Sequence, residues 1–452
     1  MKSGNCMAAE PLRLPVRSSL RRMEFDDGIE LAIPPDGLTP MANQAAEARP
    51  GPLAVPFETE SVARVAIRAS SRDVAIDYLR AFVVMLVVAF HSILAYAWVA
   101  NPGFWPAFPI TDAQRWLGFD ILAGFNDVFF MSLLFLVSGV FVWPSIERKG
   151  AAHFIRDRGI RLGVPFIVVA VLMPLAYYPS YLVTTSAPTF DGFWRFYLSF
   201  GNWQSGPAWF IWLLLAFDCL AAALYSMAPW VEGYFRRIAS LGSRRPAAFF
   251  AVLIFLSAIA YTPMAAVFGV DRWFALGPFA VQASRLFHYA VYFFAGVAIG
   301  VNGLTGSLLR SGGPLAQRWG RWLIAALLTY VAATAILLIV ILPSAKAGYA
   351  PLSMQIRGGI DFVLCCGAIS YAFLALFLGF AVRRNAIMSS LSDNAYGIYL
   401  VHYGFVIWLQ YAMLGVALPV GAKAVTVVVG AVILSWSLVA ALRRIPAVAH
   451  VI

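Results

Sequence analysis

The stretch DYLRAFVVMLVVAFH, Asp77 to His91, decides the reading of this chain, because it places three ionisable groups inside an apolar run long enough to cross a bilayer. Charge at that depth is costly and needs a reason. At about 100° per residue, the eleven steps from Arg80 to His91 come to roughly three turns plus 20°, so both side chains share one helix face, about 16 Å apart along the axis. Asp77 falls near the same face, one turn before Arg80. An acid, a guanidinium and an imidazole on one stripe suit a buried reaction path and do not suit lipid.

Working outward, 61% of the residues are hydrophobic and only 12% charged, with a mean hydropathy of +0.77, a balance that excludes a soluble globule. Runs of about 20 apolar residues recur to the C-terminus. They predict an all-α polytopic membrane bundle of about ten helices: Val74 to Tyr96, Ile121 to Trp143, Ile160 to Leu182, Ala208 to Met227, Ala247 to Val267, Phe279 to Val301, Arg321 to Leu342, Ile360 to Ala381, Asn394 to Leu414 and Ala424 to Leu442.

Basic residues assign the orientation, since cytoplasmic loops collect Lys and Arg. Arg148, Lys149, Arg156, Arg158 and Arg161 follow the second span, Arg236, Arg237, Arg244 and Arg245 the fourth, Arg310, Arg318 and Arg321 the sixth, Arg383 and Arg384 the eighth, Arg443 and Arg444 the last. The other loops hold only Arg115, Arg195, Arg272, Lys346, Arg357 and Lys423. Both termini are therefore expected in the cytoplasm. The net charge of +11 then reflects topology and contact with anionic membrane lipids, not nucleic acid.

Three regions result: a disordered cytoplasmic arm over 1–72, rich in Pro, Ala, Arg and Glu, a membrane domain over 73–443 and a short tail over 444–452. The arm lacks the apolar core of a signal peptide. Its Cys6, with Cys219, Cys365 and Cys366 in the spans, forms neither a disulfide framework nor a metal spacing.

Beyond the first span, His288 lies in the sixth and His402 in the ninth. Arg285 and Gln282 stand one and two turns from His288, giving the sixth helix a polar stripe; Gly296 and Gly300 show the small-xxx-small spacing of close helix contacts. Hydrogen bonding between helices is the competing explanation for His288. A buried Arg285 needs an anion, for which Asp361 is the nearer candidate by depth and Asp218 the other. Arg80 has three outlets: snorkelling to headgroups, pairing with Asp77, or meeting an anionic ligand from the cytoplasm. Phosphate loops, dinucleotide fingerprints, G-x-S-x-G and H-E-x-x-H are absent from the sequence.

Several segments together resemble the acyltransferase family 3, integral membrane enzymes that acylate carbohydrates and other hydroxylated acceptors. DYLRAFVVMLVVAFH has the family's arginine, ten-residue gap and histidine as Arg80 and His91. FFMSLLFLVSG (Phe129 to Gly139), FIRDRGIRLGVPF (Phe154 to Phe166) with its Arg-Leu-x-x-Pro, the pair Trp209 and Phe210, and SDNAYGIYLVH (Ser392 to His402) are similar to further family motifs. The loop spacing resembles the branch that includes glucan biosynthesis protein C. The resemblance implies a bacterial inner (plasma) membrane enzyme with no permanently bound cofactor. Its donor would be acyl-CoA from the cytoplasm, and its acceptor a hydroxyl of a glycan, glycolipid or other envelope molecule.

On that footing His91 is the expected general base, an imidazole being largely neutral at cellular pH, and Arg80 the ligand of a CoA phosphate. Asp77, Arg285, His288, Tyr399, His402 and Asp218 are expected to line the substrate path, Tyr399 and His402 from the inner half of the ninth helix in a support role. The rival from another class is a proton-coupled transporter with a relay through Asp77, His91, Asp218 and His288.

Overall fold

The computed structural model describes residues 57–103, 106–304, 306–346, 351–381 and 383–452. The run that opened the sequence reading lies in α1 (Phe57–Leu94). Its backbone is already helical over 57–72, where the sequence suggested the end of a disordered arm; Ala, Arg and Glu in that stretch are good helix formers. The remainder of the arm lies outside the described residues.

After α1 come α2 (Leu117–Val140), α3 (Val142–Lys149), α4 (Ala151–Arg158), a π-helical turn at Gly159–Gly163, α5 (Val164–Leu182), α6 (Phe190–Leu198), α7 (Trp209–Met227), α8 (Val231–Arg244) and α9 (Pro246–Phe268). A hairpin of β1 (Trp273–Leu276) and β2 (Phe279–Gln282) leads into α10 (Leu286–Val301). The chain ends with α11 (Pro314–Gln317), α12 (Trp319–Ile336), α13 (Leu342–Lys346), α14 (Leu352–Phe380), α15 (Ala386–Met413), α16 (Val420–Leu442) and α17 (Pro446–Ala449).

Among the described residues, nine helices are long and apolar enough to cross a membrane, so the chain is an all-α polytopic membrane protein. The expected ninth span lies in α15, which falls outside those nine. Its Ser389, Ser390, Ser392, Asp393, Asn394, His402 and Gln410 dilute its apolar character, and it packs between α5 and α16.

The expected sixth helix begins later than its apolar run. Gly277 (φ +56°) and Pro278 make a two-residue turn, Trp273 pairs with Gln282 and Leu276 with Phe279, and the backbone enters the helix only after a 3-10 turn at Ala283–Arg285. A glycine at the first turn position favours a hairpin over a helix start. Gln282 therefore sits on a strand, its side chain donating to Val270 O (2.6 Å), and is not on the helical stripe with His288.

Two devices set the helix positions. Between α2 and α10, a Cβ at Gly296 would lie 2.0 Å from Leu136 O, one at Gly300 2.0 Å from Val140 O, and one at Gly139 2.2 Å from Phe293 O. Only glycine allows this approach of backbones, as the small-xxx-small spacing foretold.

The second device is in α5, where Pro165, Pro174 and Pro179 have no N–H to give to the carbonyls four residues earlier. Each freed carbonyl has an aromatic donor from elsewhere. Tyr396 OH donates to Arg161 O (2.6 Å), Trp203 Nε1 to Ala170 O (2.7 Å) and Trp408 Nε1 to Leu175 O (3.1 Å). Buried backbone groups in an apolar medium must be satisfied, and here that requirement clamps α15 and the segment after α6 onto α5.

Candidate active site

The helices α1 and α15 run parallel and are tied at both ends. At the arginine-rich end the Tyr78 hydroxyl bonds Ser389 Oγ (2.7 Å) and accepts from Asn385 N (2.8 Å), while Ser392 Oγ donates to Asp77 O (3.1 Å). At the far end Gln410 Nε2 donates to His91 O (2.8 Å) and Ser92 O (3.1 Å), two of the last carbonyls of α1, which have no intrahelical partner.

This parallel register brings His402 level with His91. The sequence places His402 in the first half of its span; it lies past the midpoint of α15 because that helix starts at Ala386, two turns before the expected start. His402 Nε2 is 3.3 Å from His91 Nδ1, and the two rings are 5.2 Å apart. His91 Nδ1 also faces Val87 O at 2.9 Å, and His402 Nδ1 faces Tyr399 O at 2.8 Å. Tyr403 stands edge-on to His91 at 5.2 Å. His402 is completely buried, whereas His91 is half-buried.

Eleven residues below, Arg80 lines a cavity of about 280 Å³ together with Arg148, Lys149, Arg158 and Arg161. These five cations face one carboxylate in the lining, Asp157, which pairs with Lys149. Ser138 and Ser145 add hydroxyls. Arg80 also pairs with Asp77 (3.1 Å), both side chains 43% exposed, so this ion pair is open to exchange with a stronger anion and is worth little by itself. A larger hollow of about 410 Å³ is bordered only by the consecutive residues Gln317 to Arg321, a notch in the surface.

The other expected site residues go elsewhere. Arg285 does not pair with Asp361 or Asp218: its guanidinium forms a bidentate pair with Asp127, Nη1 lying 2.9 Å from Oδ1, and covers the Phe362 ring at 4.9 Å. The hairpin turns Arg285 toward α2 instead of along a helix stripe. Asp218, 1% exposed, meets Arg158 Nε at 3.2 Å and so backs the basic cavity from behind. His288 is completely buried between α2, α9, α10 and α14, with Ser132 Oγ at 3.1 Å and Cys366 Sγ at 3.6 Å. Tyr399 donates to Pro207 O and its ring meets Phe210 at 5.7 Å, which fixes the start of α7.

Among the described residues Asp77 pairs with Arg80, His91 faces His402, Asp218 meets Arg158 and His288 meets Ser132, so each of the four has a different partner. Asn126 of α2 is 1% exposed with neither amide atom bonded among the described residues.

Sequence reasoning missed Asp127 as an ion-pair partner, Gln410 as the cap of α1, and the ion pair of Lys423 with Asp112 (2.8 Å), both side chains nearly buried. A carboxylate, an amide or a lysine in an otherwise apolar run is the available signal. Next to that pair, burial and the Asp112 carboxylate push the Tyr96 phenol above its usual range.

A family profile described as an acyltransferase domain, that of acyltransferase family 3, matches residues 73–441. No curated protein and no solved structure matches the chain significantly. The matched span takes in both ends of the α1 face, the basic cavity and the histidine pair, and the chain belongs to the acyltransferase family 3 of integral membrane acyltransferases.

Proposed function

We propose that the protein carries an acyl group from acyl-CoA, bound from the cytoplasm, to a hydroxyl of a glycan or other envelope acceptor, with His91 as general base. The observation that carries this reading is the layout of one helix face. Arg80 sits in a five-cation cavity at one end, and the half-buried His91 stands about 16 Å along the axis at the other. That separation is comparable to the reach of a pantetheine arm.

The phosphates of CoA would occupy the cavity, where guanidinium forks suit them. The thioester carbonyl would lie beside His91. The imidazole takes the acceptor's proton as its oxygen attacks the carbonyl carbon; the C–S bond then breaks, and the proton passes to the departing sulfur. An ester and free CoA result, with no redox partner needed. The arginine-rich end of the bundle faces the cytoplasm on this reading, and the membrane is a bacterial inner membrane.

The test compares cells expressing wild type, His91→Ala and Arg80→Ala at matched levels, with mass spectrometry of their envelope glycans for an acetyl, succinyl or longer acyl increment. A general base supplies about 10²–10⁴-fold in rate, so His91→Ala loses the increment while still inserting in the membrane. Arg80→Ala weakens binding of CoA to the detergent-solubilised protein about tenfold. A full increment from the His91→Ala strain would end the base assignment.

A further inference from the structure

We infer that His402 is a positioning residue that fixes which nitrogen of His91 is basic. The inference rests on the reading of His91 as general base and adds to it the means by which the base is held ready. Three acceptors order the pair: Val87 O, Tyr399 O and His402 Nε2. A carbonyl oxygen requires a hydrogen on the ring nitrogen that faces it. Val87 O is 2.9 Å from His91 Nδ1, so that nitrogen carries hydrogen. Tyr399 O is 2.8 Å from His402 Nδ1, so that one does too.

A neutral His402 protonated at Nδ1 must present a lone pair at Nε2. That lone pair faces His91 Nδ1 at 3.3 Å. His91 Nδ1–H is therefore shared between Val87 O and His402 Nε2, and the chain of donors runs in one direction, from His91 through His402 to the backbone at Tyr399. The unprotonated nitrogen of His91 is then Nε2, the atom on the far side of the ring.

His402 is held without freedom to choose otherwise: it is 0% exposed, and its neighbour Tyr399 is pinned to Pro207 O. When His91 accepts a proton at Nε2, its ring becomes an imidazolium with the Nδ1–H already directed at two acceptors. The positive charge that develops during transfer thus meets oriented lone pairs and needs no rearrangement. An imidazole acceptor in this place does what a carboxylate does for other catalytic histidines, but without putting a second charge into the membrane.

The experiment uses the full chain in lipid nanodiscs with acetyl-CoA as donor and an envelope glycan extract as acceptor, following free thiol release. It compares wild type, His91→Ala, His402→Leu and His402→Gln. The expected result is a fall in kcat of about 10–100-fold for His402→Leu with KM for acetyl-CoA within twofold of wild type. His402→Gln recovers several-fold of that loss, because its amide oxygen can accept the Nδ1–H.

An unchanged kcat for His402→Leu, with His91→Ala inactive, overturns the positioning role and leaves the base assignment standing. An active His91→Ala overturns the base assignment itself. Should His402→Leu fail to insert, the glutamine variant decides: kcat within about fivefold of wild type at unchanged KM supports the inference, and a loss as deep as that of His91→Ala overturns it.

Discussion

Two helix pairs in this bundle hold histidines, and they do it in opposite ways. In α2 and α10 the backbones touch through Gly139, Gly296 and Gly300, and His288 is sealed among Ser132, Cys366 and aromatic rings. In α1 and α15 the contact is made by side chains that reach the partner's backbone near either end, Ser392 at one and Gln410 at the other, and His91 between them is only half-buried. An imidazole enclosed on every side among apolar rings, as His288 is, is placed to hold helices together. One in a half-buried residue whose neighbour engages a single nitrogen has the other left for the proposed chemistry. Polarity inside a membrane span is therefore a poor guide to function until the packing around it is known.

The sharpest way to break the comparison is Gly296→Leu. A Cβ there already falls 2.0 Å from Leu136 O, so this variant is expected to yield no monodisperse, membrane-inserted protein on size-exclusion chromatography after solubilisation. The same substitution at Gly404 in α15, where a Cβ meets nothing within 4 Å, should give wild-type yield. A folded Gly296→Leu protein would mean that the α2–α10 contact is less tight than described.

Next in size is His288→Ala. It removes a ring packed against Tyr261, Tyr292 and Phe362 and leaves Ser132 Oγ without its nitrogen partner, at a cost of about 1–3 kcal/mol. Thermal unfolding followed by tryptophan fluorescence should show a lowered midpoint, while kcat stays within about threefold of wild type below that temperature. A catalytic collapse with unchanged stability would place His288 in the chemistry and erase the distinction between the two pairs.

The smallest effect belongs to Gln410→Leu, which uncaps His91 O and Ser92 O. Polar contacts between membrane helices are worth about 0.6 kcal/mol on average, so the midpoint should barely move. The end of α1 should loosen nonetheless, seen as faster amide exchange at residues 91–96 by mass spectrometry. Exchange unchanged there would show that the C-terminal turn of α1 is held by packing alone.

Much of this was legible from order along the chain, and what was not had a common cause. Apolar length marked the spans, and helical periodicity put Arg80 and His91 on one face, because both are properties of consecutive residues. Partners are properties of the folded bundle. The choice of Asp361 for Arg285 assumed that residues 279–285 continued the helix; Gly277 and Pro278 turn the chain back as a hairpin, and Asp127 becomes the neighbour.

His402 was set too shallow because the first turns of α15 read as loop. Asn385 caps them with its own side chain, accepting from Ile387 N and Met388 N, a signal that the row of serines concealed. Lys423 read as an ordinary loop charge, and only the fold shows it buried against Asp112.

Proline inside a helix is usually treated as damage to be tolerated. In α5 each of three such breaks becomes a socket, and what plugs in is a ring from another part of the chain: a phenol from α15 beside the arginine cavity, an indole from the segment after α6, and another indole from the α15 turn beyond His402. The helix thereby acts as a rail that grips α15 beside both ends of the proposed reaction path, so that His402 keeps its level against His91 of α1 whatever the compliance of the surrounding lipid.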